Sequence, residues 1–284
     1  MIKDKNGLIP NSYELKARAE NIFYPENEND IEKIFKDYAG KRIVVLGRGN
    51  NIILKDDYYG DDYVFVILRD PYGAFDFDGK RVVVQAGADM KQLSLKAMEK
   101  GLSGVEYFYG IPSSLGGAVY MNAGANEFET SQIVKKVKYF DIDELKIKEI
   151  ENRDIGFSYR HSIFQELNCV ILEAELQLNE GNKDEVWAKM KSIYDERAAK
   201  QPLDYPSAGS VFKRPKGYYV GKMVQDLGLK GYSIGGAKIS EKHAGFIINY
   251  NNATGKDILQ LIDFIRHKVK DAYGVWLETE QVII

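Results

Sequence analysis

The sequence predicts an α+β fold of two or three packed subdomains, and three observations predict it. Its 284 residues, 44% of them apolar, can bury a substantial core and exceed the commonest size of a single domain. Alternating apolar runs of strand length are interspersed along the whole chain with stripes at helical spacing, the signature of layered sheet and helix. Two glycine-rich passages, Gly47 to Asn51 and Gly110 to Ala125, interrupt that pattern where turns or ligand cradles belong.

In chain order, an extended segment comes first, near Tyr13 to Tyr24. Ile31, Ile34, Phe35 and Tyr38 then recur at helical spacing, with Asn29 or Asp30 as cap and Gly40 as terminator. Arg42 to Leu46 reads as a buried strand that runs into Gly47-Arg48-Gly49-Asn50-Asn51 and a second apolar run, Ile52-Ile53-Leu54. The glycines therefore occupy a strand-to-strand turn. Strands follow at Tyr63 to Leu68 and Arg81 to Ala86, and a helix from Asp89 to Lys100 is closed by Gly101. Val134 to Asp141 and Cys169 to Leu178 alternate as strands of a further sheet, the latter with Val170, Leu172, Ala174 and Leu176 on its apolar face. The best helix starts after Asn182, aligns Val186, Met190, Ile193 and Arg197, and stops before Pro202. A loop to Pro215, a short helix near Tyr219 to Leu227, strands near Tyr232 to Ser240 and Gly245 to Tyr250, a helix from Lys256 to Tyr273 and a closing strand complete the chain. Edges near residues 75 and 182 divide it into segments 1–75, 76–181 and 182–284.

Composition excludes several function classes. With 39 Lys and Arg against 42 Asp and Glu, a formal charge of −3, nothing suggests a surface that wraps nucleic acid or seeks membranes. An anionic ligand must be held by a local site. The polar start and the lack of any apolar run of spanning length point to a cytoplasmic protein. Cys169 is the sole cysteine, which excludes a disulfide within one chain, and it reads as an inert structural thiol. No two of the three histidines stand at metal-ligand spacing, so no metal site is expected.

Several passages carry candidate chemistry. In Gly47 to Asn51 the glycines can expose successive backbone N–H groups to a diphosphate, or simply make a tight turn; the third glycine of a dinucleotide fingerprint is missing. In Gly110-Ile111-Pro112-Ser113-Ser114-Leu115-Gly116-Gly117-Ala118, continuing to Asn122-Ala123-Gly124-Ala125, Ser113 or Ser114 can cap a short helix whose small residues admit a flat or anionic ligand. Tight helix packing serves equally well. Arg160, in Tyr159-Arg160-His161-Ser162, has the planar fork that grips a carboxylate, although a surface ion pair is the usual fate of such an arginine. The loop Lys200 to Pro215 combines prolines, Ser210 and three cations, among them Lys200 and Lys213. Lys230 and His243 offer groups for phosphates, or mark solvated turns.

Taken together, Gly47 to Asn51, Gly110 to Ala125, Tyr159-Arg160-x-Ser162, Lys200-Gln201-Pro202, Pro206-Ser207-Ala208-Gly209-Ser210-Val211-Phe212, Gly235-Gly236-Ala237, His243-Ala244-Gly245-Phe246 and Leu277-x-x-Glu280 resemble the UDP-N-acetylenolpyruvoylglucosamine reductase family, in its order. The short region around Tyr159 to Ser162 is similar to its compact second type. The resemblance implies the FAD-binding fold of the vanillyl-alcohol-oxidase type: two α/β subdomains holding non-covalent FAD and a C-terminal α/β subdomain over the substrate. It also implies a monomer that spends NADPH to reduce UDP-N-acetylglucosamine enolpyruvate to UDP-N-acetylmuramate in peptidoglycan precursor synthesis. By the same correspondence Arg160, Ser210 and Glu280 are catalytic. Gly47, Arg48, Gly49, Asn50, Asn51, Gly110, Ile111, Pro112, Ser113, Ser114, Gly116, Gly117, Ala118, Asn122, Ala123 and Gly124 bind the cofactor, and Tyr159, Lys200, Lys213, Lys230 and His243 meet the substrate. Three departures stand out: Gly49-Asn50-Asn51 replaces Gly-Ser-Asn, Pro112-Ser113-Ser114 replaces Pro-Gly-Ser, and Glu280-Gln281-Val282 replaces Glu-Val-Arg.

Overall fold

Strands buried on both faces read as unbroken apolar runs, and Tyr63–Ile67 is one: its Val64, Phe65, Val66 and Ile67 have no exposed surface. In the computed structural model, which describes residues 1–284, this strand pairs in parallel with Arg42–Leu46, from Arg42↔Tyr63 to Leu46↔Ile67, and with Ile22 and Phe23 of Arg18–Tyr24. These pairings belong to the first of two compact units. It comprises residues 1–5, 21–48 and 61–196, while the second comprises 6–20, 49–60 and 197–284.

In the first unit, helix α1 (Glu28–Asp37) buries Ile31, Ile34 and Phe35. Its cap is Asn27, whose side chain accepts from the Asp30 backbone N–H, rather than the expected Asn29 or Asp30. Those two lie inside the first turn, where the Asp30 carboxylate complements the positive helix end. A five-stranded antiparallel sheet runs in the order Lys146–Glu151, Val134–Asp141, Cys169–Gln177, Arg81–Gln85, Phe75–Asp78. Its central strand buries Val170, Leu172, Ala174 and Leu176 as the alternation requires. Helices α2 (Met90–Glu99) and α3 (Leu115–Tyr120) are capped by Asp89 and Ser114. The Asn182 side chain accepts from the Asp184 N–H at the start of α4 (Lys183–Lys200), which buries Val186 and Met190, and of which residues 183–196 belong to this unit.

The second unit contains α5 (Val220–Asp226), a meander of Ser233–Ile234, Ala237–Ile239 and Ile247–Asn249, and α6 (Gly255–Tyr273). The single strand expected from Tyr232 to Ser240 is thus two, reversed at Gly235-Gly236, where Gly235 takes φ +55°. Helix α6 has a reciprocal cap between Thr254 and Asp257 and buries Ile258, Leu261, Ile262, Ile265 and Val269 along one stripe. Val282–Ile283 pairs in parallel with Ile52–Ile53, and the Tyr59 hydroxyl donates to the Ile284 carbonyl at 2.8 Å.

A strand at Ile2–Leu8 lies outside the sequence expectation. It is polar and buries only Gly7, so no alternation announces it. No helix is long and apolar enough to cross a membrane.

Candidate functional site

The two glycine-rich passages meet in the first unit at Gly47. A Cβ there would lie 2.0 Å from Ser114 Oγ, so only glycine allows the end of strand Arg42–Leu46 to approach the cap of α3. Asp89 ties the same elements together. Its carboxylate caps α2, lies 3.0 Å from Arg48 Nη1, and its backbone bridges to Ser114. The Ser113 carbonyl accepts from Met90 N–H at 3.1 Å, and the N–H of Gly116 donates to Ala86 at 2.8 Å. Arg48, expected at the cofactor, has in Asp89 a partner that sequence spacing did not reveal.

The later half of the second passage is braced from within. Asn122 is completely buried at φ +42°; its amide donates to Glu129 Oε2 at 2.9 Å and to the Ser158 carbonyl at 3.0 Å, and its oxygen accepts from Ser131 N–H. Its side chain thus shapes the passage. Ser158 and His161 exchange two backbone hydrogen bonds of 3.1 Å, leaving Tyr159 and Arg160 as the tip of a tight turn. Arg160 occupies the left-handed region there, φ +56°, and its Nη2 donates to the Gly124 carbonyl at 3.1 Å. The buried Ser162 hydroxyl donates to the Tyr120 carbonyl at 2.8 Å. So the expected carboxylate-gripping arginine is held against the Tyr120 to Gly124 stretch of the second passage.

In the second unit, Gly49 closes the first passage at φ +69°, and a Cβ there would meet the Pro10 carbonyl oxygen at 2.2 Å. Asn51 follows. Its side-chain amide donates to the Glu280 carbonyl at 3.1 Å, and its own carbonyl accepts from Val282 N–H at 2.9 Å. Glu280 N–H donates to the Val211 carbonyl, Val211 N–H donates to Gly245, and Ser210 bridges to Phe246. Ser210 and Glu280 thus stand on adjoining segments, with His243-Ala244-Gly245 on the other side of Ser210. Ser210 is exposed and Glu280 half-buried. The His243 ring is edge-on to Phe246 at 4.9 Å, and its Nδ1 accepts from Gly245 N–H. Burial, helped by the charge of Lys230, pushes the His243 pKa down. Lys213 Nζ lies 3.8 Å from Glu278, and Lys200 and Lys230 are exposed.

Two oxygens test whether these residues suit a flavin dinucleotide. Asn50 Oδ1 and Ser113 Oγ, one in each passage, are buried without a hydrogen-bond partner. An orphaned buried polar atom costs about 1–3 kcal/mol; in the first unit Ser113 Oγ would donate to a phosphate oxygen, and in the second Asn50 Oδ1 would accept from a hydroxyl, groups that a flavin dinucleotide carries. Both atoms stand at departures from the family pattern. Ser113 takes an ordinary negative φ, so replacing glycine there introduces no left-handed strain. The residues fit the group.

Residues 19–144 match the FAD binding domain family, and residues 201–284 match the family described as UDP-N-acetylenolpyruvoylglucosamine reductase, C-terminal domain. The UDP-N-acetylenolpyruvoylglucosamine reductase of Caldanaerobacter subterraneus subsp. tengcongensis is 41% identical over 275 residues, covering 96% of this chain and 90% of that protein. That of Francisella tularensis is 40% identical over 276 residues, covering 96% of each. The crystal structure of the reductase from Thermus caldophilus superposes with a TM-score of 0.81 at 29% identity, covering 96% of this chain and 95% of the other.

Proposed function

Because the chain belongs to the UDP-N-acetylenolpyruvoylglucosamine reductase family of FAD-dependent oxidoreductases, we propose that it reduces UDP-N-acetylglucosamine enolpyruvate to UDP-N-acetylmuramate with NADPH, in the cytoplasm, for peptidoglycan precursor synthesis. The observation that supports this reading most is the adjacency of Ser210 and Glu280, joined through Val211. When bound, FAD supplies hydride-transfer chemistry between NADPH and the enolpyruvyl methylene carbon.

The chain's own residues manage the charge that results. Adding hydride to the methylene leaves negative charge on the neighbouring carbon and its carboxylate. The Arg160 guanidinium grips that carboxylate, and removing one such contact costs about 3 kcal/mol of barrier. Ser210 gives its hydroxyl proton to the carbon, Glu280 is the acidic partner of this set, and Lys213 or Lys200 favours the alkoxide that Ser210 becomes. Tyr159, Lys200, Lys230 and His243 contact the UDP-sugar. Residues 1–75 and 76–181 are assigned to FAD, and residues 182–284 to the substrate. Asn50 and Ser113 offer the flavin their unpaired oxygens, Gly117 leaves room for it, and Gly47, Arg48, Gly49, Asn51, Gly110, Ile111, Pro112, Ser114, Gly116, Ala118, Asn122, Ala123 and Gly124 complete its seat. Neither glycine-rich passage contains Cys or His, so the flavin leaves with denaturation.

Anaerobic stopped-flow absorbance tests the reading. NADPH bleaches the flavin band and the enolpyruvyl substrate restores it. Recovery that requires oxygen instead identifies an oxidase and refutes the proposal.

A further inference from the structure

Gln281 stands where the family pattern has valine, yet it is 2% exposed and engaged at every polar atom. Its Nε2 lies 3.0, 3.2 and 3.4 Å from the carbonyl oxygens of Ala208, Gly209 and Ser210. Its Oε1 accepts from the hydroxyl of Tyr13 at 3.0 Å, and Tyr13 has no exposed surface. A carbonyl only accepts and an amide nitrogen only donates, so the three loop carbonyls fix which end of the Gln281 amide faces them, and the Tyr13 hydroxyl donates to the other end. Gly209, at φ +80°, lets three successive carbonyls converge on that one amide. Such convergence is electrostatically unfavourable unless a donor occupies the focus, and valine has none.

We propose that Gln281 is a positioning residue for the reduction: it clamps the backbone of Ala208 to Ser210 and thereby sets the Ser210 hydroxyl for proton delivery, while Tyr13 locks the clamp. Gln281 neighbours Glu280, whose backbone is already bound to Val211 and Asn51, so the same short segment orders both groups of the proposed site in this unit. The inference rests on the proton-donor role proposed for Ser210.

The test compares holoenzymes of the wild type, Ser210→Ala, Gln281→Met, Tyr13→Phe and the double variant Ser210→Ala/Gln281→Met in the two half-reactions. In Gln281→Met, bleaching by NADPH and the flavin dissociation constant stay within about twofold of wild type, while recovery by the enolpyruvyl substrate slows at least tenfold. Tyr13→Phe, which keeps the packing, slows recovery several-fold and gives a second reading if Gln281→Met folds poorly. The double variant is no slower than Ser210→Ala, because the clamp acts only through that hydroxyl. Wild-type recovery in Gln281→Met alongside slow recovery in Ser210→Ala overturns the clamp and leaves the proposed function standing. So does equal slowing of both half-reactions, a weakened flavin affinity, or further slowing in the double variant. A wild-type flavin that the substrate does not reoxidise overturns the proposed function, and the clamp with it.

Discussion

Arg160 has a backbone that suits glycine and a side chain that the proposed chemistry needs. At φ +56° it fills the second corner of a two-residue turn whose flanks, Ser158 and His161, are fixed by two hydrogen bonds. The left-handed region costs a residue with a Cβ roughly 1–2 kcal/mol, whereas glycine enters it freely but loses about 0.4–1 kcal/mol to the greater freedom of its unfolded chain. Arg160→Gly and Arg160→Ala both delete the guanidinium and its bond to the Gly124 carbonyl, so their difference isolates the backbone. Arg160→Gly is expected to be the more stable of the two by about 1 kcal/mol, read from urea unfolding at equal denaturant dependence. Both variants lose substrate-driven flavin recovery. Against wild type the glycine variant comes out near parity, because strain relief is offset by the lost hydrogen bond, about 1 kcal/mol. Equal stability of the two variants, or a more stable alanine variant, refutes the strained turn. A surviving recovery rate refutes the carboxylate grip.

Three further outcomes follow from single observations. Gly47→Ala places a methyl 2.0 Å from Ser114 Oγ and is expected to cost about 2 kcal/mol in urea unfolding; adding Ser114→Gly, a small loss at a helix cap, should restore most of it. The folded His243 pKa is pushed below its ordinary value of about 6.5, so the unfolded state takes up the extra proton as pH falls. Stability is therefore lost from about pH 7 downward, and His243→Gln should show a smaller difference between unfolding midpoints at pH 7.5 and pH 5 than wild type. Burial pushes the Cys169 thiol up to about 12, so at pH 8 only roughly one thiol in ten thousand is ionised. Iodoacetamide should leave the native chain unmodified at pH 8 and alkylate it in urea.

Local periodicity carried most of the helices and the central strands into view, because those elements bury a regular stripe. The helix after Asn182 and the alternation from Cys169 are examples, each decided by residues within one turn or one pleat of each other. What stayed hidden depends on partners far away in the chain. The polar strand Ile2–Leu8 has no inward face to announce it, and the Asp89 partner of Arg48 is an ordinary helix cap until the fold brings the glycine turn beside it. The interleaving of residues 6–20 and 49–60 with 197–284 is likewise invisible to a linear reading, since it is written in pairings such as Ile52↔Val282.

The candidate site divides along the same line. The family resemblance proposes Arg160, Ser210 and Glu280 as a set, because each belongs to a recognisable passage. It could not say what holds them. Arg160 is held by a strained turn and the Gly124 carbonyl, and Glu280 by the backbone of Val211 and the amide of Asn51. In the sequence Gln281 is a departure from the family pattern, beside the presumed acid. Its amide proves to be spent on three loop carbonyls and a buried tyrosine hydroxyl. A polar side chain that leaves water completely must recover its hydrogen bonds inside the fold. A departure toward polarity at a buried position therefore signals a new internal bond, and its neighbours show what that bond holds in place: here, the backbone of Ser210.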